Sequence, residues 1–200
     1  MYQFHVGTFL IFAATVMLLV VSLSAPIWDE VGFLRVHGGT GSGTLVLGNW
    51  GYCTLMSGGN QCSSRTLGYD MLRIVENFAG ESQTTTSSSA ARHLTNSFIL
   101  HPIAAGIAFL AFLTALLSHR IGFLFSSLIA MVATVVTLIA LILDWVTFEI
   151  AHRHVNHDSS ASASWGSAIW LVTVSFILLV LGSVTVCCGC FTDRRRRARY

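Results

Sequence analysis

Four apolar runs constrain this chain more than anything else in it, because each is near the roughly 20 residues that a helix needs to cross a hydrocarbon core. They cover residues 6–25, 98–117, 121–143 and 168–188. With 54% of the 200 residues apolar and only 10% charged, the composition excludes an ordinary water-soluble domain. The pattern predicts a single tetraspan unit over residues 1–200, an all-α membrane four-helix bundle. The first run ends in Ser22-Leu23-Ser24-Ala25, small enough to resemble a signal-peptidase site. Its apolar core is longer than that of a signal peptide, so it reads as a retained anchor, with cleavage as the alternative.

Orientation follows from the basic residues, all eleven of which are Arg. Arg120 lies in the short turn Ser118-His119-Arg120, and Arg194, Arg195, Arg196, Arg197 and Arg199 follow the fourth run in the tail 189–200. The positive-inside rule places both in the cytoplasm, together with the amino terminus. Loops 26–97 and 144–167 are then extracellular. A basic cluster directly after an apolar run points to anionic lipid headgroups and not to nucleic acid.

Within the first loop, Val31 to Val36 and Thr44 to Leu47 read as short strands around a glycine-rich turn, His37 to Gly43. That turn lacks the Gly-Lys-Ser/Thr ending of a phosphate loop, so a flexible hairpin is the plainer reading. A third strand is expected around Trp50 to Met56. Cys53 and Cys62 flank Gly58-Gly59-Asn60, turn residues that let the chain reverse so that the two thiols meet. A disulfide there contributes roughly 2–3 kcal/mol in the chain-entropy model and requires an oxidising compartment. The sheet is thus small, antiparallel and extracellular. Tyr69 to Phe78 carries apolar residues at helical spacing, with Leu72, Val75 and Phe78 on one side and Gly80 as a stop. Thr84 to Ser89 reads as a polar linker, a candidate for O-glycosylation.

These residues carry a resemblance. Trp50-x-x-Cys53 with Cys62 in a loop between spans one and two resembles the claudin superfamily signature. The runs Leu47-Gly48-Asn49-Trp50-Gly51-Tyr52-Cys53, Cys62-Ser63, Leu67-Gly68-Tyr69-Asp70 and Leu100-His101-Pro102-Ile103-Ala104 are similar to the fungal PalI and Sur family of tetraspan plasma-membrane proteins. So is Asp144 ahead of His154-Val155-Asn156. The claudin-like resemblance implies a disulfide-stapled sheet on a left-handed bundle, with Trp50, Gly51 and Tyr52 as structural motif residues. The PalI resemblance implies a role in ambient-pH signalling, assisting a seven-span pH sensor. The Sur resemblance implies a plasma-membrane domain coupled to a wall-synthesis enzyme.

Several groups carry chemistry of their own. His101-Pro102 reads as a kink near the start of the second span, with His101 as a candidate proton sensor. Asp144 reads as an interfacial cap or a partner for Arg35 or Arg153. His152, His154 and His157 sit with Glu149, Arg153 and Asp158 within ten residues. A solvated loop is the simplest reading of that cluster, with pH-dependent packing and a Zn²⁺ site as sharper ones. Cys187, Cys188 and Cys190, beside the Arg cluster, are a palmitoylation context, while Cys187-x-x-Cys190 also raises a redox pair. No Ser/His/Asp set, phosphate loop or complete metal signature emerges, so neither an enzyme nor a cofactor is expected. The expected function is a scaffold or auxiliary subunit that binds other integral membrane proteins. A claudin-like, self-assembling pore or adhesion protein is the alternative, and a small thiol oxidoreductase a more remote one.

Overall fold

The structure is a computed structural model that describes residues 2–38, 43–80, 95–117, 122–158 and 161–197; the side chains at 2–4, 122–124, 158 and 188–197 lie outside the description. Its helices are α1 (Tyr2–Ser22), α2 (Met71–Ala79), α3 (Leu100–Leu117), α4 (Gly122–Asp158) and α5 (Ser167–Arg197). Its strands are β1 (Leu34–His37), β2 (Thr44–Leu47), β3 (Tyr52–Leu55), β4 (Gln61–Cys62) and β5 (Ser162–Trp165). The chain divides into two compact units: residues 1–19, 100–139 and 172–200, and residues 20–99 and 140–171.

The first unit is a four-helix bundle built on small residues. Ala14 and Leu18 of α1, Ala104, Ala105 and Ala108 of α3, Ala133 of α4 and Leu179 of α5 form one buried layer. Ile11, Ala111, Ala130 and Val186 form another. Without a hydrophobic drive between helices in lipid, close backbone approach has to supply the packing energy. At Gly182 a Cβ would stand 2.9 Å from Ile11 Cγ1 and 3.4 Å from Gly7 O, so α1 and α5 approach closely where Gly7 and Gly182 face each other. Core hydroxyls are absorbed by backbone carbonyls, Thr15 by Ile11 O (2.8 Å), Thr137 by Ala133 O (2.7 Å) and Ser126 by Ala111 O of the neighbouring helix (2.8 Å). Large apolar side chains such as Phe9, Leu110 and Leu128 are exposed, as a lipid-facing surface requires.

The second unit carries a five-stranded antiparallel sheet in the order β4-β3-β2-β1-β5. β1 pairs with β2 in the register Leu34↔Leu47, and β3 pairs with β4 through Cys53↔Cys62. Those cysteines form the disulfide. The first strand starts later than the sequence implies, because both backbone groups of Val31 are engaged in the preceding loop, its carbonyl accepting from Ala25 N–H (3.0 Å) and its N–H donating to Trp28 O (3.2 Å). Helix α2 forms as its pattern predicts: the Asp70 carboxylate accepts from Arg73 N–H (3.3 Å), Gly80 closes it in the left-handed conformation, and Met71, Leu72 and Val75 are buried.

Among its described residues, the segment 144–167 is mostly regular structure. α4 continues to Asp158, and the chain then returns as β5, pairing with β1 from Leu34↔Trp165 to His37↔Ser162. The helix persists because Phe148, Ala151 and Val155 keep a buried face beyond the apolar run. The rings of Phe33, Phe98 and Phe148 lie within 4° of parallel, with centroids 4.9, 5.5 and 5.7 Å apart, and form the centre of this unit. Among the described residues, four helices are long and apolar enough to cross a membrane, over His5–Ser22, Ser97–Leu117, Phe125–His157 and Ser167–Cys187.

Candidate functional site

The signature Gly48-Asn49-Trp50-Gly51-Tyr52-Cys53 runs through the bend after β2 into the start of β3, and its polar groups hold helix ends. A helix leaves its last carbonyls without intrahelical partners. Trp50 Nε1–H donates to Ser22 O (2.6 Å), the last residue of α1, and Trp50 N–H donates to Ala25 O (3.3 Å). Asn49 N–H donates to Ser24 Oγ (2.9 Å). The bend can come this close because residue 48 has no side chain: a Cβ there would lie 2.3 Å from Ala25 O. At Gly51 a Cβ would lie 2.3 Å from Ser63 Oγ, the hydroxyl that accepts from Tyr52 N–H.

The buried Asn49 amide is assigned with Nδ2 towards Phe98 O (3.0 Å) and Oδ1 towards Trp50 Nε1 (3.2 Å), the orientation that satisfies both. Phe98 O is the carbonyl that residue 102 would bond in a continuous helix, and residue 102 is a proline without an N–H. The expected kink at His101-Pro102 is therefore corrected. Pro102 lies in the first turn of α3, preceded by a 3₁₀ turn at Ser97–Ile99, and Asn49 serves the carbonyl it leaves. His101 beside it is buried.

Tyr69 completes the network: its hydroxyl donates to Gly48 O (2.7 Å), and Thr95 Oγ1 donates to Tyr69 O (2.8 Å). Burial pushes the Tyr69 phenol well above its ordinary pKa.

The histidine-rich stretch lies on the last turns of α4. His152 stacks on Trp165 of β5 (centroids 5.1 Å, 14°), whose ring is also 5.0 Å from Trp145. Asn156 meets both polar groups of Ala163, accepting its N–H (2.9 Å) and donating to its carbonyl (3.4 Å). His154 Nε2 stands 3.3 Å from Glu76 Oε1 of α2, a carboxylate that is only 5% exposed. Arg153 pairs with Glu149, and Arg35 donates to Glu30 O; the expected pairing of either arginine with Asp144, which is itself buried, gives way to these. Glu149, His152, Arg153, His154, Asn156 and His157 line an open pocket of ≈ 610 Å³. Among the described residues, no three His, Cys, Asp or Glu side chains converge as a metal site. Cys187 is half-buried on α5; the side chains of Cys188, Cys190 and the Arg cluster lie outside the description.

The residues whose roles sequence reasoning passed over are Asn49, Glu76, Asn156 and Trp165. Asn49 and Asn156 carried a signal, their place inside family-like runs.

A four-helix membrane bundle together with a small, disulfide-closed antiparallel sheet defines a claudin-like, multi-pass membrane protein. The family model described as SUR7/PalI family matches residues 4–182. The chain belongs to that family. No curated protein matches it.

Proposed function

We propose that this protein is a non-enzymatic scaffold or auxiliary subunit of the plasma membrane that binds and localises other integral membrane proteins. One observation carries the reading. The polar groups of the signature and of the last turns of α4, where chemistry would be sought, hydrogen-bond to backbone or pair between elements of the same unit, which is structural work. What they support is an exposed surface, residues 56–62 and 64–67 along the disulfide-closed edge, available for recognition.

In this proposal both termini are cytoplasmic and the sheet is extracellular. The tail's arginines face anionic lipid, and Cys187, Cys188 and Cys190 carry acyl chains. By family, the partner is a seven-span pH sensor or a wall-synthesis enzyme. Affinity purification from native membrane in mild detergent, with identification of co-purifying chains, is the test. A stoichiometric membrane-protein companion is expected, and recovery of self-oligomers alone would sink the proposal in favour of a self-assembling pore. In the pH-signalling branch, the triple change His152→Gln, His154→Gln, His157→Gln abolishes the pH dependence of companion binding; an unchanged profile removes these histidines from sensing.

A further inference from the structure

The loop after α1 is closed on itself. Ala25 N–H donates to Val31 O (3.0 Å), Val31 N–H to Trp28 O (3.2 Å) and Ile27 N–H to Ser24 O (3.3 Å). A loop braced this tightly presents fixed side chains at its tip, and here they are apolar. Ile27 is 38% and Trp28 52% exposed, next to Leu23 at 46%. Leu23 follows the exposed Leu19 by four residues, so the patch prolongs the outward apolar face of α1 beyond the end of its span window at Ser22. Polar chain resumes at once: Asp29 accepts from Asn60 Nδ2 (2.5 Å), and Glu30 is exposed.

Tryptophan is distributed with the same bias. All five, at positions 28, 50, 145, 165 and 170, fall in the sheet-bearing unit. Trp170 is 56% exposed, near the start of the window Ser167–Cys187. On α4, Trp145 stands 20 residues past Phe125, where the apolar window opens, which is about 30 Å of helix and so about one hydrocarbon thickness. An indole has an apolar body and one polar N–H edge, and it settles between acyl chains and water.

We propose that Leu23, Ile27 and Trp28 form a lipid-docking surface of the sheet-bearing unit, seated in the headgroup layer, with Trp145 and Trp170 as the boundary residues of α4 and α5. Its occupant is the bilayer, because the patch continues a lipid-facing helix surface and ends at acidic side chains. α4 then leaves the hydrocarbon near Trp145, and its remaining turns to Asp158, about 20 Å long, carry Glu149, His152, Arg153, His154 and His157 into water. The proposal rests on the helices crossing a bilayer.

The full chain is reconstituted in phosphatidylcholine vesicles containing lipid brominated near the headgroup, or with iodide on both faces. Trp170→Phe is the reference arm and Trp28→Phe the test arm, each checked for an intact disulfide and monodisperse elution. Both substitutions are expected to remove a share of the lipid-quenched fluorescence, and Trp28→Phe to leave the iodide-quenched share unchanged. The pair Ile27→Trp, Trp28→Phe returns an indole to the loop tip and restores the lipid-quenched share. If Trp170 alone contributes to lipid quenching, while the Trp28 signal is quenched by iodide or by neither agent, the proposal is overturned. Lipid quenching lost in neither arm overturns the membrane-crossing reading beneath it.

Discussion

Asn49 and Pro102 are 53 positions apart in sequence, yet they share one carbonyl, and that makes them separable by a double-mutant cycle. Asn49→Ala removes the amide that donates to Phe98 O (3.0 Å). Phe98 is fully buried, and losing one hydrogen bond to a buried carbonyl costs about 0.5–1.5 kcal/mol. Trp50 Nε1 keeps Ser22 O (2.6 Å), so the loss is confined to the carbonyl. Pro102→Ala alone supplies an N–H that the native carbonyl does not need, and its cost is limited to lost chain stiffness, at most about 1 kcal/mol. In the double variant, the new backbone N–H at position 102 closes the i→i−4 bond to Phe98 O, and the second substitution recovers about 1 kcal/mol of what the first removed. The measurement is SDS-titrated unfolding of the four proteins, followed by tryptophan fluorescence. Additivity within about 0.5 kcal/mol, the level expected of unconnected sites, would refute a shared acceptor and with it the account of why this asparagine sits inside the signature.

Cys53→Ser or Cys62→Ser is expected to cost roughly 2–3 kcal/mol and to block surface delivery; normal trafficking of both variants would count against a structural disulfide. Gly182→Val overpacks the α1–α5 contact, where even a Cβ meets Ile11 Cγ1 at 2.9 Å, and should cost about 1–3 kcal/mol in detergent unfolding. Stability should be flat in mildly basic solution and fall above about pH 10, where an exposed tyrosine ionises. The unfolded Tyr69 phenol then releases a proton that the buried native one retains, so the unfolded state gains. Tyr69→Phe loses the bond to Gly48 O but flattens this alkaline limb, which circular dichroism across about pH 8–11 would detect.

What could be read from sequence was whatever a local rule governs. Bilayer thickness sets the length of an apolar run, so the four helices were legible. Alternation and turn residues marked β2 and β3, and Gly80 marked the end of α2, whereas its Asp70 cap emerged only in the structure. The disulfide followed from two cysteines across a glycine turn. Pro102 was read in the wrong frame, because the proline rule depends on where a helix begins. That start is set by Asn49, a residue from another part of the chain. His152 and His154 were visible as titratable groups, but their partners Trp165 and Glu76 come from separate elements with no spacing rule to connect them.

β5 shows the limit most sharply. Ser162-Ala163-Ser164-Trp165 has a weak intrinsic preference for a strand, and its extended state is supplied from outside. On one side, β1 provides the ladder, Arg35 opposite Ser164 and Val36 opposite Ala163. On the other, the Asn156 side chain meets both backbone groups of Ala163 as a neighbouring strand would. Trp165 is then held between Trp145 and His152. An exposed edge is a template for adventitious pairing, and a single amide from α4 blunts it at Ala163. The two loops consequently form one sheet, and the histidine-rich turns of α4 are its brace. β5 pairs with β1 and His154 faces Glu76 of α2, so a substitution at His152 or Asn156 is expected to alter hydrogen-exchange protection in the first loop as well as in the second.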